Sequence, residues 1–197
     1  MKILLIGANG HVGSAAAEAL RPRHEVIGVG RNSDPAVDAT DPASIERLFA
    51  EVGEVDAVVT ALGSVPFRPL AELSREDYAA GFTGKVLSQL DVVRIGTPYV
   101  RDGGVFTLTT GILAREPIAT GAAAAMANGA IESYVMAAAA ELPRGIRINA
   151  VSPTVLEEAE GYHDAFPGFL PVPASVVGQA YRKSVEGVQT GRVFAVE

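Results

Sequence analysis

The chain contains no cysteine, which excludes disulfides and thiolate chemistry. Aromatic residues supply only 6% of its 197 positions while glycine supplies 21 residues, a balance that suits close-packed layers of helix and sheet. Positive charge is in deficit: 16 Lys and Arg stand against 23 Asp and Glu, a formal net charge of −7. That argues against nucleic acid or an anionic membrane as the main partner. No apolar run reaches the ~20 residues needed to span a bilayer. The apolar stretch 3–6 lacks the following h-region and cleavage site of a signal peptide. A cytoplasmic protein is the expectation. The three histidines and scattered carboxylates show no ligand spacing such as His-x-x-x-His, so no metal is assigned.

What the chain does have is an alternation of apolar runs and helical patterns along its whole length. Strands are predicted at 2–6, 25–29, 57–61, 104–109, 147–151 and 192–196. Helices are predicted near 12–20, 42–52, 75–99, 120–142 and 173–187. Asp41-Pro42 reads as an N-cap followed by Pro in the first helical position, and Ser74 with Asp77 resembles a capping box. Strands alternating with helices imply parallel pairing through right-handed crossovers, hence a doubly wound α/β sheet flanked by helices on both faces. At this length, with no linker or repeat, residues 1–197 are expected to form one domain. The connection after the second strand is too short for a crossover helix. A short third strand near 37–39, or only an extended segment, is expected there.

The most informative residues are Gly7-Ala8-Asn9-Gly10-His11-Val12-Gly13, which follow the first strand and open a helix. Gly7 permits a sharp turn, Gly10 lets a pyrophosphate approach the backbone, and Gly13 allows the helix to pack closely on the strand. The helix N-terminus then presents free N–H groups and a positive dipole end to the phosphates. The tip of the second strand, Gly30-Arg31-Asn32-Ser33, carries a guanidinium where a carboxylate would select the ribose hydroxyls of NAD. Arg31 suits a 2′-phosphate, Asn32 and Ser33 add neutral donors, and His11 is within range of the same group. The cofactor expected is NADP(H) rather than NAD(H), although Asp34 lies close by.

These residues resemble the short-chain dehydrogenase/reductase family along nearly the whole chain. Val37-Asp38-Ala39-Thr40-Asp41 is similar to the family's Asp-Val-Thr-Asp segment, and Thr60-Ala61-Leu62-Gly63 to its Asn-Asn-Ala-Gly motif. Glu141 to Pro153, Glu-Leu-Pro-Arg-Gly-Ile-Arg-Ile-Asn-Ala-Val-Ser-Pro, matches the end of its fifth helix and its sixth strand. The resemblance implies a Rossmann-type fold with Asp38 at the adenine. Ala61 and Gly63, with Leu62 between them, would flank the ribose. Pro153 to Leu156, Val155 included, would lie along the nicotinamide.

The pattern breaks where the family does its chemistry. The Tyr and Lys of its Tyr-x-x-x-Lys pair fall on Ala124 and Asn128, which neither donate a proton nor titrate. Its Ser falls on Gly111, or on Thr110 if the strand end slips by one. Lys85 stands about where the family has an Asn, so Lys and Asn look exchanged between two helices. A replacement proton donor is sought in the segment from Thr154 to Phe169, where family members carry a substrate lid; Tyr162 and His163 are the candidates. In this reading Thr110 holds a substrate oxygen, Lys85 stabilises developing negative charge, and Tyr162 or His163 supplies the proton through water.

Two functions fit. One is an NADP(H)-dependent oxidoreductase reducing a carbonyl-like small molecule at a non-standard site. The other is a catalytically inactive NADP(H)-binding sensor or partner protein. A non-redox isomerase or lyase is a third use of the same pocket. The resemblance also implies a homodimer or homotetramer through the helices near 75–99 and 120–142, with Leu87, Leu90, Val93, Ala130, Tyr134 and Ala138 on their faces.

Overall fold

The computed structural model describes all 197 residues. Six strands form one parallel sheet: β1 (Lys2–Ile6), β2 (Glu25–Val29), β3 (Val55–Thr60), β4 (Val100–Thr109), β5 (Arg147–Pro153) and β6 (Val193–Val196), in spatial order β2-β1-β3-β4-β5-β6. Helices α1 (His11–Leu20) and α6 (Ala174–Glu186) cover one face, while α2 (Pro42–Val52), α4 (Ser88–Gly96) and α5 (Ala122–Glu141) cover the other. The period of two in β1 explains the two cores. Leu4 and Ile6 enter one with Phe49, Phe106 and Ile131; Ile3 and Leu5 enter the other with Leu20, Val177 and Tyr181. This is the expected doubly wound, Rossmann-type architecture. Because β1 pairs with β2 on one side and β3 on the other, the crossovers reverse direction beside β1. That opens a crevice beyond the carboxyl ends of β1 and β3.

Local signals account for the helix starts. The Asp41 carboxylate accepts from Ala43 N at 3.0 Å with Pro42 at the first position, and α3 (Arg75–Gly81) begins in a complete Ser74–Asp77 capping box. The helix predicted over 75–99 is not regular. A stretch of π-helix, Phe82–Leu87, separates α3 from α4, and a short 3-10 turn follows at Thr97–Tyr99. Strand β4 starts four residues earlier than predicted and runs through Gly103 and Gly104, while its register with β3 shifts between Val55 and Ala57. A Cβ on Gly104 would stand 2.6 Å from the Asp56 carbonyl oxygen, so glycine lets the two chains pass.

The segment 37–39 forms no third strand. One isolated parallel bridge, Gly30 to Ala36, is all that pairs there. Among the helix faces expected to meet another subunit, Val93 is instead buried in its own core. Leu90, Ala130, Tyr134 and Ala138 pack against that core, whereas Leu87 is 41% exposed. No helix is long and apolar enough to cross a membrane.

Candidate active site

The turn after β1 is built on two glycines that admit no side chain. Gly7 has φ +90°, and a Cβ there would run into the Ala61 carbonyl; a Cβ on Gly13 would run into the carbonyl of Gly7. These contacts seat α1 against the strand ends. At Gly10 the situation differs: a Cβ would meet nothing closer than the Gly7 carbonyl oxygen, 3.8 Å away. Its open side faces the crevice, with Gly10, His11 and Val12 among the residues that line it. Gly10 caps α1 without any side-chain hydrogen bond, and the first turn carries no acidic residue. The first N–H groups of the helix are therefore left for an external anion. The residues present fit the diphosphate of a dinucleotide.

At the tip of β2, Arg31 and Asn32 are exposed, and the Asn9 amide lies beside Gly30. The Ser33 hydroxyl accepts from Gly30 N at 2.7 Å and lies 2.6 Å from the Pro35 carbonyl, to which it donates. It closes its own turn and is not the free donor expected from sequence. Asp38 accepts from the Thr40 hydroxyl at 2.7 Å and from Thr40 N at 2.9 Å. Those bonds first, with Arg31 nearby, hold its carboxyl below the usual carboxylate range.

The crevice has a volume of about 550 Å³. It draws together Ala61, Leu62 and Gly63 from the end of β3, Lys85 from the π-helical stretch, and Thr109, Thr110 and Gly111 from the end of β4. Ala124 and Asn128 of α5, Pro153 to Leu156 from the end of β5 onward, and Tyr162 on the lid also line it, with apolar side chains such as Val65, Ile112, Leu113 and Phe166. The two replaced positions of α5 thus face the crevice one turn apart.

Lys85 is its one lysine. The side chain passes over Gly63, where a Cβ would stand 2.6 Å from Lys85 Cγ and the backbone has φ +148°. Its Nζ donates to the Thr110 carbonyl at 3.4 Å and pairs with no carboxylate. Burial lowers its pKa from 10.5 to about 8.

Gln89, one turn further on, holds this arrangement and was missed in the sequence. Its Nε2 donates to the carbonyls of Lys85 at 3.1 Å and Thr109 at 2.9 Å. Its Oε1 accepts from Thr109 N at 2.8 Å and from the Thr60 hydroxyl. The Thr109 hydroxyl donates to the Thr60 carbonyl and so accepts from Tyr181. All four side chains are buried. The i, i+4 spacing from Lys85 was the available signal, but a Gln on an amphipathic helix carries no motif.

Thr110 lines the crevice, yet its hydroxyl is turned away. It is directed to the Asn128 carbonyl at 3.1 Å and to Glu132 Oε1 at 3.2 Å. Glu132 also accepts from Arg115 at 2.8 Å, and Arg115 donates to Ser152 at 3.0 Å. His163 is outside the crevice lining, its Nε2 donating to the Leu156 carbonyl at 2.9 Å; it anchors the lid. Tyr162 is 57% exposed at the rim. Two buried polar atoms on the crevice wall have no partner, Asn128 Oδ1 and Thr154 Oγ1. Thr154 stands in the segment expected along the nicotinamide.

Comparison with known proteins gives the family and the fold. A family model described as enoyl-(acyl carrier protein) reductase matches residues 10–183. The chain is 30% identical over 150 residues to hydroxynaphthalene reductase arp2 of Aspergillus fumigatus, covering 73% of this chain and 54% of that protein. It thus spans little more than half the length of that curated relative. Among solved structures, the protein lin1944 from Listeria innocua superposes with a TM-score of 0.98 at 51% identity, over 100% of both chains. A small-chain dehydrogenase in complex with NADPH superposes with a TM-score of 0.85 at 22% identity, over 100% of this chain and 96% of the other, a likeness of fold.

Proposed function

This chain belongs to the short-chain dehydrogenase/reductase family, and from that premise we propose that it is an NADP(H)-dependent oxidoreductase reducing a carbonyl-like small molecule at a non-standard site. The observation that carries the proposal is the meeting, in one crevice, of an uncapped helix N-terminus and a partly buried lysine that has no carboxylate partner. Bound NADPH supplies the hydride.

The chain's own residues do the rest. Gly10, His11, Val12 and the start of α1 receive the diphosphate, while Arg31 grips the 2′-phosphate with Asn32 beside it. Pro153, Thr154 and Val155 orient the nicotinamide. The Lys85 ammonium faces the substrate oxygen and stabilises the charge that develops on it. With its pKa lowered to about 8, Lys85 can also release a proton near neutrality. Tyr162 at the rim supplies the exposed hydroxyl through which that proton is replaced. The Thr110 carbonyl, rather than its hydroxyl, contributes by fixing Lys85. The bound NADPH of the small-chain dehydrogenase above supports the choice of cofactor. A homodimer or homotetramer remains part of the proposal, with Phe82, Leu87 and Met136, all exposed, as the large apolar side chains that these two helical segments leave for a contact.

Ala124, facing the crevice where a proton donor would serve, favours a second reading: an NADP(H)-binding sensor without turnover. Two measurements separate the readings. Calorimetry with both coenzymes should give tighter NADPH than NADH binding, and Arg31→Ala should weaken NADPH alone by about 10- to 100-fold, the worth of a charge-assisted bidentate contact. Mixing NADPH with activated ketones, quinones and imines should consume the coenzyme. Tight NADPH binding with no consumption on any of them would refute the reductase and leave the sensor.

A further inference from the structure

The chain has three lysines, Lys2, Lys85 and Lys183. Lys2 donates to the Val52 carbonyl at 2.6 Å, and Lys183 sits over the Phe194 ring, 5.2 Å from its centroid; neither borders the crevice. Lys85 alone does, and no Asp or Glu lines the wall around it. The other titratable side chains on that wall are His11 and Tyr162; Glu132, behind Thr110, is engaged by Arg115 at 2.8 Å. The stem of Lys85 is pinned over Gly63, which holds the nitrogen at the Thr110 end of the crevice. An ammonium has three N–H groups to place and a charge to balance. Within the protein Lys85 Nζ finds one acceptor, the Thr110 carbonyl at 3.4 Å. A neutral amine fits this setting better: it gives one N–H to the carbonyl and keeps its lone pair for the crevice. Burial, which lowers its pKa to about 8, leaves about a tenth of the side chains as free amine at pH 7, against fewer than about one in a thousand for a lysine of ordinary basicity.

We propose that Lys85 is a nucleophilic amine that forms imines with aldehydes and unhindered ketones of apolar body, an activity separate from hydride transfer. The Lys85 nitrogen adds its lone pair to the carbonyl carbon. Its two N–H protons pass to the carbonyl oxygen, which leaves as water while the C=N bond forms. Leu62, Val65, Ile112, Leu113 and Phe166 on the same wall favour a hydrocarbon body over a hydroxylated one. The step needs the crevice and the amine but no coenzyme, so it stands apart from the reductase reading.

The test treats the whole natural protein, without coenzyme, with hydrocinnamaldehyde or glycolaldehyde and sodium cyanoborohydride, which reduces an imine to a stable secondary amine. Peptide mass spectrometry then reads the adduct on Lys85 and on Lys183. At about pH 7 hydrocinnamaldehyde should label Lys85 about tenfold or more faster than Lys183 or the free analogue Nα-acetyllysine amide. Glycolaldehyde should show a smaller preference. The advantage over the free analogue should shrink as the pH is raised from about 7 to about 10, where ordinary amines also lose their proton. Equal labelling of Lys85 and Lys183, or no adduct on Lys85, would overturn the proposal, as would an advantage that stays constant over that pH range or a preference just as large with glycolaldehyde. Consumption of NADPH by ketones with no adduct on Lys85 would leave the reductase reading and remove this one. An adduct on Lys85 with no NADPH consumed by any ketone would do the reverse.

Discussion

Replacing Lys85 by Met should stabilise the ligand-free protein and remove its chemistry in the same step. The methionine side chain keeps the apolar stem that crosses Gly63 but drops the charge. The fall in the Lys85 pKa from 10.5 to about 8 is caused by burial, and at about 1.4 kcal/mol per pH unit it corresponds to about 3 kcal/mol held against the folded state. For a chain of this size that is about 6–12 °C in melting temperature. Between pH ~8 and ~10.4 the unfolded chain keeps a proton on Lys85 that the folded chain has lost, so natural stability rises with pH across that window. Below it the cost is fully present, and above it the cost vanishes. Thermal melts followed by circular dichroism should therefore show Lys85→Met well above the natural protein at pH 7 and level with it near pH 10.5. In turnover assays kcat should fall by about 10²–10³-fold, the loss seen when one oxyanion donor is removed. The natural kcat/KM should decline above pH ~8 as the ammonium is lost. A variant that melts at or below the natural protein at pH 7, or a gap that persists unchanged at pH 10.5, would refute the idea of a buried cation.

The remaining expectations concern the scaffold around that cation. Gly13→Ala forces a Cβ into the Gly7 carbonyl and should cost about 1–3 kcal/mol as overpacking, read from urea denaturation. Gly10→Ala meets no such obstacle within the protein; it should leave the melting temperature in place and weaken NADPH binding, and equal binding would show that the diphosphate does not approach there. Gln89→Leu leaves Thr109 N and the Thr60 hydroxyl buried without their acceptor and should cost about 2–6 kcal/mol, at about 1–3 for each orphan. A change below ~0.5 kcal/mol would show that water or a neighbour takes over.

Most of the fold was legible because its signals are local. Strand β1 declares itself by a run buried on both faces, which only a central parallel strand needs, and α2 by Asp41 and Pro42 at its start. The errors fall where pairing geometry, not composition, decides. The predicted strand begins at Gly104, but β4 starts at Val100 and passes through Gly103 and Gly104, where β3 comes close and the register shifts. The apolar spacing over 75–99 fits one helix. An inserted residue turns a regular helix into the π-helical stretch Phe82–Leu87 without altering the local pattern of apolar residues enough to be seen. At 37–39 the residues are extended enough for a strand, yet Ser33 closes its turn first and leaves one bridge.

The crevice was legible in part as a set of positions and not as a set of directions; Gly7, Asn9, Gly13, Arg31, Asn32, Ser33 and Asp38 of the expected cofactor set lie outside its lining. Gly10, His11, Val12, the 61–63 segment, Lys85, Thr110, Pro153, Val155 and Tyr162 all border one crevice, since motif spacing fixes which strand ends meet. Whether a hydroxyl or imidazole points inward depends on partners far along the chain. Thr110 turns to Glu132, 22 residues on, and His163 to the Leu156 carbonyl. The apparent exchange of Lys and Asn between two helices makes the same point in physical terms. In the proposed exchange the ammonium comes from another element, and Lys85 enters the crevice across a Gly63 with no side chain to block it. The amide left on α5 then needs room of its own, which Gly111 provides. Two glycines, read in the sequence as a ribose-flanking residue and as a missing serine, are thus what make room for the two polar side chains in one cavity. A side chain added at either would press on the group that the exchange brought there.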